Sequence, residues 1–207
     1  MLINTKDINM DTHKEFILAS SSASRFKILT NCGFVFRQIN PPCNEEEIKK
    51  KLKKTNKPVN IAKKLSFEKA KSLSLKRKHF NKYVIGCDTL IYLENEIFDK
   101  AKNLREARLK LKKLSGKTHN IVSGLTICHK GNKVWDCSST SRVKIRKLKP
   151  FQIDEYLKKT GKQILHSVGC YQLESLGPQI IEDIKGDYFN VLGLPLFKLL
   201  KYTQDIQ

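Results

Sequence analysis

A short apolar strand that runs straight into a helix is what most narrows the fold open to this chain. Residues 15–19, Glu-Phe-Ile-Leu-Ala, read as a buried strand. They lead into the hydroxyl-rich turn Ser20-Ser21-Ser22-Ala23-Ser24-Arg25. A helix follows, with apolar positions Phe26, Ile28, Leu29 and Cys32, and ends at Gly33, a helix-stop signal. The mixture continues along the chain. Residues 34–39 read as a second strand, broken by Asn40-Pro41-Pro42 before an acidic loop with Glu45, Glu46 and Glu47. A helix is expected over 60–76, with Ile61, Ala62, Leu65, Lys69 and Leu73 at three-to-four spacing. Residues 83–87 form a buried strand that delivers Asp88 and Thr89 at its C-terminal end, and a turn is expected at Glu94 and Asn95. Asn103 followed by Glu106 is a capping-box pattern opening the next helix. Residues 120–127 and 133–147 look like a hairpin turning at Lys130, Gly131 and Asn132, with Arg142, Lys144 and Arg146 on one cationic face. A helix over 151–159 stops at Gly161, a strand covers 179–184, and a last helix follows Gly193-Leu194-Pro195. There is no internal repeat. Strands and helices in this order give an α/β or α+β fold with a mixed sheet.

Charge is the loudest compositional feature: 40 Lys plus Arg stand against 20 Asp plus Glu in 207 residues, a net +20. Such a surplus suggests polyanionic partners, whether nucleic acid, membrane phosphate or nucleotides. It is local, however. Residues 46–82 hold fourteen Lys/Arg and three Glu, and residues 100–117 hold eight Lys/Arg and one Glu, so two stretches carry 18 of the excess charges. Their helical periodicity turns most of these lysines outward, a solvated face, and no aromatic residues interleave with them as a single-strand stacking platform requires. No run approaches the roughly 18 to 20 apolar residues of a membrane span. The N-terminal residues have no long apolar segment with a small-residue cleavage site, so a cytoplasmic protein is expected. The six cysteines, at 32, 43, 87, 128, 137 and 170, form no C-x-x-C pair and read as reduced thiols.

A few residues stand apart from this background. The turn at residues 20–25 sits at a helix N-terminus, where free N–H groups and the helix dipole favour an anion, and Arg25 adds a fixed bidentate cation; the bland reading is an ordinary serine cap. Asp88, at a strand end, lies where open sheets place ligands. With Glu45 nearby it can hold Mg²⁺ through two carboxylates and substrate phosphates, or take a proton from an attacking water; it can equally cap a turn. Lys69 falls on the inner stripe of its helix and needs an anionic partner there. Lys100 follows an acidic turn and reads either as a phosphate contact or as a solvated lysine. His119, His129 and His166 have no catalytic or metal spacing and are core or surface histidines. No P-loop and no G-x-G-x-x-G occurs, so phosphates must be held in another way.

Seven short motifs in order extend over about residues 16–200. They are Ile17-Leu-Ala-Ser-Ser-Ser-Ala-Ser-Arg25, Glu45 in place of a D-E pair, Leu65-Ser-Phe-Glu-Lys-Ala70, Gly86-Cys-Asp-Thr89, Phe98-Asp-Lys-Ala101, Leu114-Ser-Gly-Lys-Thr-His119, and Gly186-Asp-Tyr-Phe-Asn-Val-Leu-Gly-Leu-Pro-Leu196. Together they resemble the Maf-like nucleoside triphosphate pyrophosphatases. The resemblance implies a hydrolase acting on acid anhydrides, which cleaves a nucleoside triphosphate to the monophosphate and pyrophosphate with Mg²⁺ or Mn²⁺. The fold implied is an elongated mixed β-sheet flanked by helices with a central cleft, similar to the inosine triphosphate pyrophosphatases. It implies one domain of two lobes over 14–203, after an N-terminal extension at 1–13. By position, Asp88 is then the proton acceptor, Ser20, Ser22, Arg25, Lys69 and Lys100 contact substrate, Glu45 and Asp88 hold the metal, and Ser24, Thr89 and Glu174 tune base choice. Ala23, Ser24, Ala101, Glu174 and Ser175 depart from the pattern of one branch or another. Glu174 resembles the 7-methyl-GTP branch and Thr89 the dTTP and UTP branch. The partner implied is the triphosphate, with no stable nucleic acid, no membrane, and a homodimer left open. The alternative is a basic nucleic-acid-binding or division-arrest protein with a degenerate site.

Overall fold

The structure is a computed structural model, and it describes residues 14–53, 57–94 and 96–206. The expected 1–13 extension and Asn95 of the expected turn lie outside them. Among the described residues, seven strands form one mixed sheet. Strand β1 (Phe16–Ala19) lies between β2 (Arg37–Ile39) and β3 (Tyr83–Leu93), parallel to both; β3 pairs antiparallel with β4 (Glu96–Phe98) and β5 (Thr118–His129); β6 (Asn132–Ile145) and the edge strand β7 (Ile181–Lys185) follow antiparallel. The β5–β6 turn is Lys130-Gly131, and both residues have positive φ (51° and 74°), as a two-residue hairpin requires.

Strand alternation puts two apolar clusters on one face of this sheet. One packs α1 (Ala23–Asn31) and α7 (Leu196–Asp205) on Leu18, Ile85, Cys87 and Leu125; the other packs α4 (Leu104–Leu114) and α5 (Pro150–Thr160) on Ile91, Ile121 and Val143. The opposite face is covered by α3 (Pro58–Ser74), which buries Ile61, Leu65, Ala70 and Leu73 against Ile17, Val84, Leu90 and Val122. Two glycines allow its close approach. A Cβ on Gly86 would lie 2.0 Å from Ser66 O, and one on Gly124 would lie 2.4 Å from the Ala62 carbonyl. No helix among the described residues is long and apolar enough to cross a membrane.

Three sequence expectations are corrected. Asp88 is not at a strand end: β3 continues to Leu93, because Leu90, Ile91 and Leu93 are buried and keep the chain in the sheet. Glu45 is not on a loop; it opens helix α2 (Glu45–Leu52), whose N-cap Asn44 accepts from the Glu47 N–H. The second strand is only Arg37–Ile39, since Phe34 and Phe36 pack their rings beside Phe16 and Phe26. A one-turn helix, α6 (Tyr188–Val191), precedes α7 and was not expected.

Candidate active site

The functional side chains gather where the sheet is interrupted. Strand β1 ends at Ala19, opposite Gly86, and β4 begins to pair with β3 only at Ile91, opposite Phe98. Among the described residues, that edge of β3 therefore has no partner strand over residues 87–90, which include Asp88 and Thr89. Both flanking strands point their C-terminal ends at the gap. The end of β1 delivers Ser20 and the start of α1, and the end of β4 delivers Asp99 and Lys100. Asp88 thus meets the strand-end condition of open sheets through its neighbours' ends rather than its own.

On the α3 side, Lys69 is 5% exposed, and its Nζ lies 2.6 Å from Asp88 Oδ1 and 2.8 Å from Glu45 Oε2. Burial works against the Lys69 ammonium, but Asp88 and then Glu45 outweigh it and the opposing Arg25, so its pKa lies above the ordinary lysine value. Lys69 is a permanent cation. Lys100 makes no ion pair among the described residues. Its pKa is lowered, first by partial withdrawal from water and then by Arg25 and Lys69, while Glu45 and Asp88 oppose. The same four charges act on it, so Lys100, which follows Asp99 on an exposed connection, stands in their field.

On the other face, Arg25 is buried and spends three of its five N–H donors inside the protein. Nε donates to Gly193 O at 2.8 Å, one terminal nitrogen to Ser20 Oγ at 3.1 Å, and the other to Thr89 Oγ1 at 3.0 Å. Two donors remain for a ligand. Thr89 Oγ1 also lies 2.8 Å from Ser123 Oγ and 3.2 Å from Gly193 O, and Cys87 Sγ donates to the same Gly193 carbonyl at 3.2 Å. Ser22 N-caps α1 by accepting from the Arg25 N–H, and Ser20 Oγ accepts from the Ser22 N–H at 3.2 Å. Among the described residues neither hydroxyl donates a hydrogen bond. Ser24 Oγ donates to Glu174 Oε1 at 2.7 Å, so α1 is joined to the segment packed on α4 and α5.

Of the sequence candidates, Arg25, Glu45, Lys69, Asp88 and Lys100 form one charge cluster, with Ser20 and Thr89 on Arg25. Ser24 and Glu174 form a separate pair. Gly193 and Ser123 were not singled out from the sequence. The Gly-Leu-Pro run before the last helix was the available signal for Gly193, while Ser123 is an unremarkable strand serine. The histidines take no part: His119 is buried against Tyr171, His129 packs on Tyr83, and His166 is exposed. All six cysteines are free. Among the described residues, seven cations of the first basic stretch and two of the second are in ion pairs. Of these, Lys69 alone is buried.

The family model described as Maf-like protein matches residues 15–206. A nucleoside triphosphate pyrophosphatase of Caulobacter vibrioides is 38% identical over 188 residues, covering 90% of this chain and 93% of the relative. A 7-methyl-GTP pyrophosphatase of Bartonella henselae is 36% identical over 184 residues, covering 89% and 91%. Another of that name from Rhizobium meliloti is 35% identical over 191 residues, covering 92% and 95%.

Proposed function

Since the chain belongs to the Maf-like family, we propose that it is a nucleoside triphosphate pyrophosphatase, acting in the cytoplasm as one domain of two lobes over residues 14–203. The observation that carries the reading is the Lys69 ammonium held between Glu45 and Asp88 at the edge of β3 that has no partner strand among the described residues. Phosphoryl transfer asks the protein mainly for placed cations and an oriented water. Ser20, Ser22 and the two spare Arg25 donors bind phosphate oxygens, and Lys69 and Lys100 neutralise the rest. Asp88 has one oxygen on Lys69 and accepts the proton of the attacking water on the other. The α–β anhydride breaks, leaving monophosphate and pyrophosphate.

A divalent cation fits this arrangement only with help from the substrate. Among the described residues no three His, Cys, Asp or Glu side chains form a metal site. The two carboxylates that converge on Lys69 do stabilise a positive charge at one point, and Mg²⁺ is commonly held by one or two carboxylates plus substrate phosphates. Glu45 and Asp88 are the residues that would hold it. When bound, such an ion neutralises charge developing on the phosphates.

Relatives carry both pyrophosphatase names, so base choice must come from this chain's own residues. Glu174 is held by Ser24 through one oxygen, and among the described residues the other accepts no hydrogen bond. A carboxylate accepts from a guanine N1–H and amino group together, whereas uracil offers one N–H, so a guanine-type base is the better fit. Incubation with Mg²⁺ or Mn²⁺ and a panel of normal and modified triphosphates tests the activity. Pyrophosphate should be released, and Asp88→Asn should lower kcat about 10²- to 10⁴-fold. Silence across the panel, or full activity of Asp88→Asn, refutes the reading.

A further inference from the structure

Helix α2 brings Glu45 to the site, yet it has no fully buried residue. Only Ile48 and Leu52, both half-buried, touch the apolar cluster beneath it. Burial alone therefore holds α2 weakly, and most of its fixed contacts are charged. Glu45, Lys49 and Lys53 recur every four residues along one face of the helix. Glu45 rests on Lys69, while Lys49 Nζ and Lys53 Nζ lie 2.8 and 2.5 Å from the two carboxylate oxygens of Asp99. The lysines outweigh the partial burial of that carboxyl and hold it below the ordinary aspartate range.

Asp99 is also fixed on its own side. Its carbonyl accepts from Lys110 Nζ of α4, which donates to Val168 O as well, at 3.2 Å. The residue after it is Lys100. One side chain therefore joins the helix that presents Glu45 to the connection that presents Lys100.

We propose that Asp99 is a positioning residue for the proposed hydrolysis. It clamps α2 to the β4–α4 connection, so that Glu45 stays on the Lys69–Asp88 pair and the segment that carries Lys100 is held beside α2. The inference rests on the pyrophosphatase reading for its catalytic consequence, but the clamp itself does not. Exposed ion pairs are individually weak and are screened by salt, so the clamp biases a population of closed α2 and does not lock it. Affinity for a ligand that needs the closed form falls in proportion to that population.

Two measurements on the full chain separate the clamp from the activity. Hydrogen exchange of α2 amides should quicken about 3- to 10-fold in Asp99→Asn, while α3 amides keep the wild-type rate. Raising salt should quicken α2 exchange in the wild type more than in the variant. In steady-state hydrolysis, Asp99→Asn should raise KM by the same 3- to 10-fold with kcat within about twofold, and Asp99→Glu should recover most of the loss. The double variant Lys49→Gln/Lys53→Gln cuts the clamp from the other side and should reproduce both effects, which guards against an unstable Asp99→Asn. Unchanged α2 exchange in both variants overturns the proposal, as does a fall in kcat at constant KM. If the wild type hydrolyses no triphosphate, the functional reading fails, and the exchange experiment still decides the clamp.

Discussion

His119 should make this protein lose stability in mild acid, by an amount that follows from its surroundings. The imidazole is fully buried at the start of β5. Nε2 lies 2.6 Å from Tyr171 Oη, and Nδ1 has no hydrogen-bond partner among the described residues. Burial raises the Tyr171 pKa, so its hydroxyl stays protonated at any working pH and donates to Nε2. Protonating His119 would bury a charge with no carboxylate beside it, and burial pushes its pKa down to about 4 from 6.5. The folded pKa is lower than the unfolded one. The stabilisation is therefore complete above about pH 6.5 and is lost progressively as pH falls toward 4. With these two values, linkage gives a loss of about 2 kcal/mol at pH 5 and about 3 kcal/mol at pH 4.

The assay is urea unfolding of the wild type and of His119→Gln at pH 7, 6 and 5. The amide side chain keeps a polar partner for Tyr171 and does not titrate. His79 and His129, whose pKa values burial also lowers, are common to both proteins and cancel in the comparison. Between pH 7 and 5 the wild type should lose about 2 kcal/mol more than the variant. Equal losses would mean that His119 is not linked to folding, and the burial argument would be wrong.

Other substitutions probe the site's supports. Gly86→Ala puts a methyl group against the Ser66 carbonyl and the Ala70 N–H; unfolding should show a loss of about 1–3 kcal/mol, and activity should fall because α3 carries Lys69 away from Asp88. Arg25→Lys keeps the charge but cannot serve Ser20, Thr89 and Gly193 together, so thermal unfolding should drop by the equivalent of about 1–3 kcal/mol and KM should rise. Glu174→Gln, assayed across the triphosphate panel, should lower the preference for guanine-type bases relative to uracil or thymine; an unchanged ranking would remove Glu174 from base choice.

Much of the site was legible because its residues break a local rule. Lys69 is a cation on an apolar stripe, and Arg25 follows a hydroxyl-rich turn into a helix. Asp88 interrupts a buried run and so reads as a strand end; the apolar residues after it continue the sheet, and the gap belongs to the neighbouring strands. Nothing in residues 87–90 encodes where β1 and β4 end. The misreading of α2 was avoidable. Asn44 followed by Glu47 is a cap, and three glutamates before three lysines match the helix dipole, but the preceding prolines and the scarcity of apolar residues favoured a loop. The partnership of Gly193 with Cys87, Arg25 and Thr89 joins residues more than 100 positions apart, and no local pattern announces such a contact.

The sheet interruption also explains how so few charges can suffice on so basic a chain. Arg25, Lys69 and Lys100 against Glu45 and Asp88 leave the cluster at a net +1, which is less than a triphosphate requires. The deficit falls where two carboxylates already converge, so a divalent cation arriving with the phosphates would meet its protein ligands at the point of greatest need. The surface lysines cannot take its place. Many are neutralised by acids on neighbouring turns, among them Lys51 on Glu47, Lys64 on Glu68 and Lys113 on Glu96. Fields from exposed lysines decay over roughly 10 Å at 0.1 M salt. Their contribution is to the rate at which an anion arrives. On the proposed reading, its binding and reaction depend on the charges that the broken edge of β3 brings together from α1, α2, α3 and the end of β4.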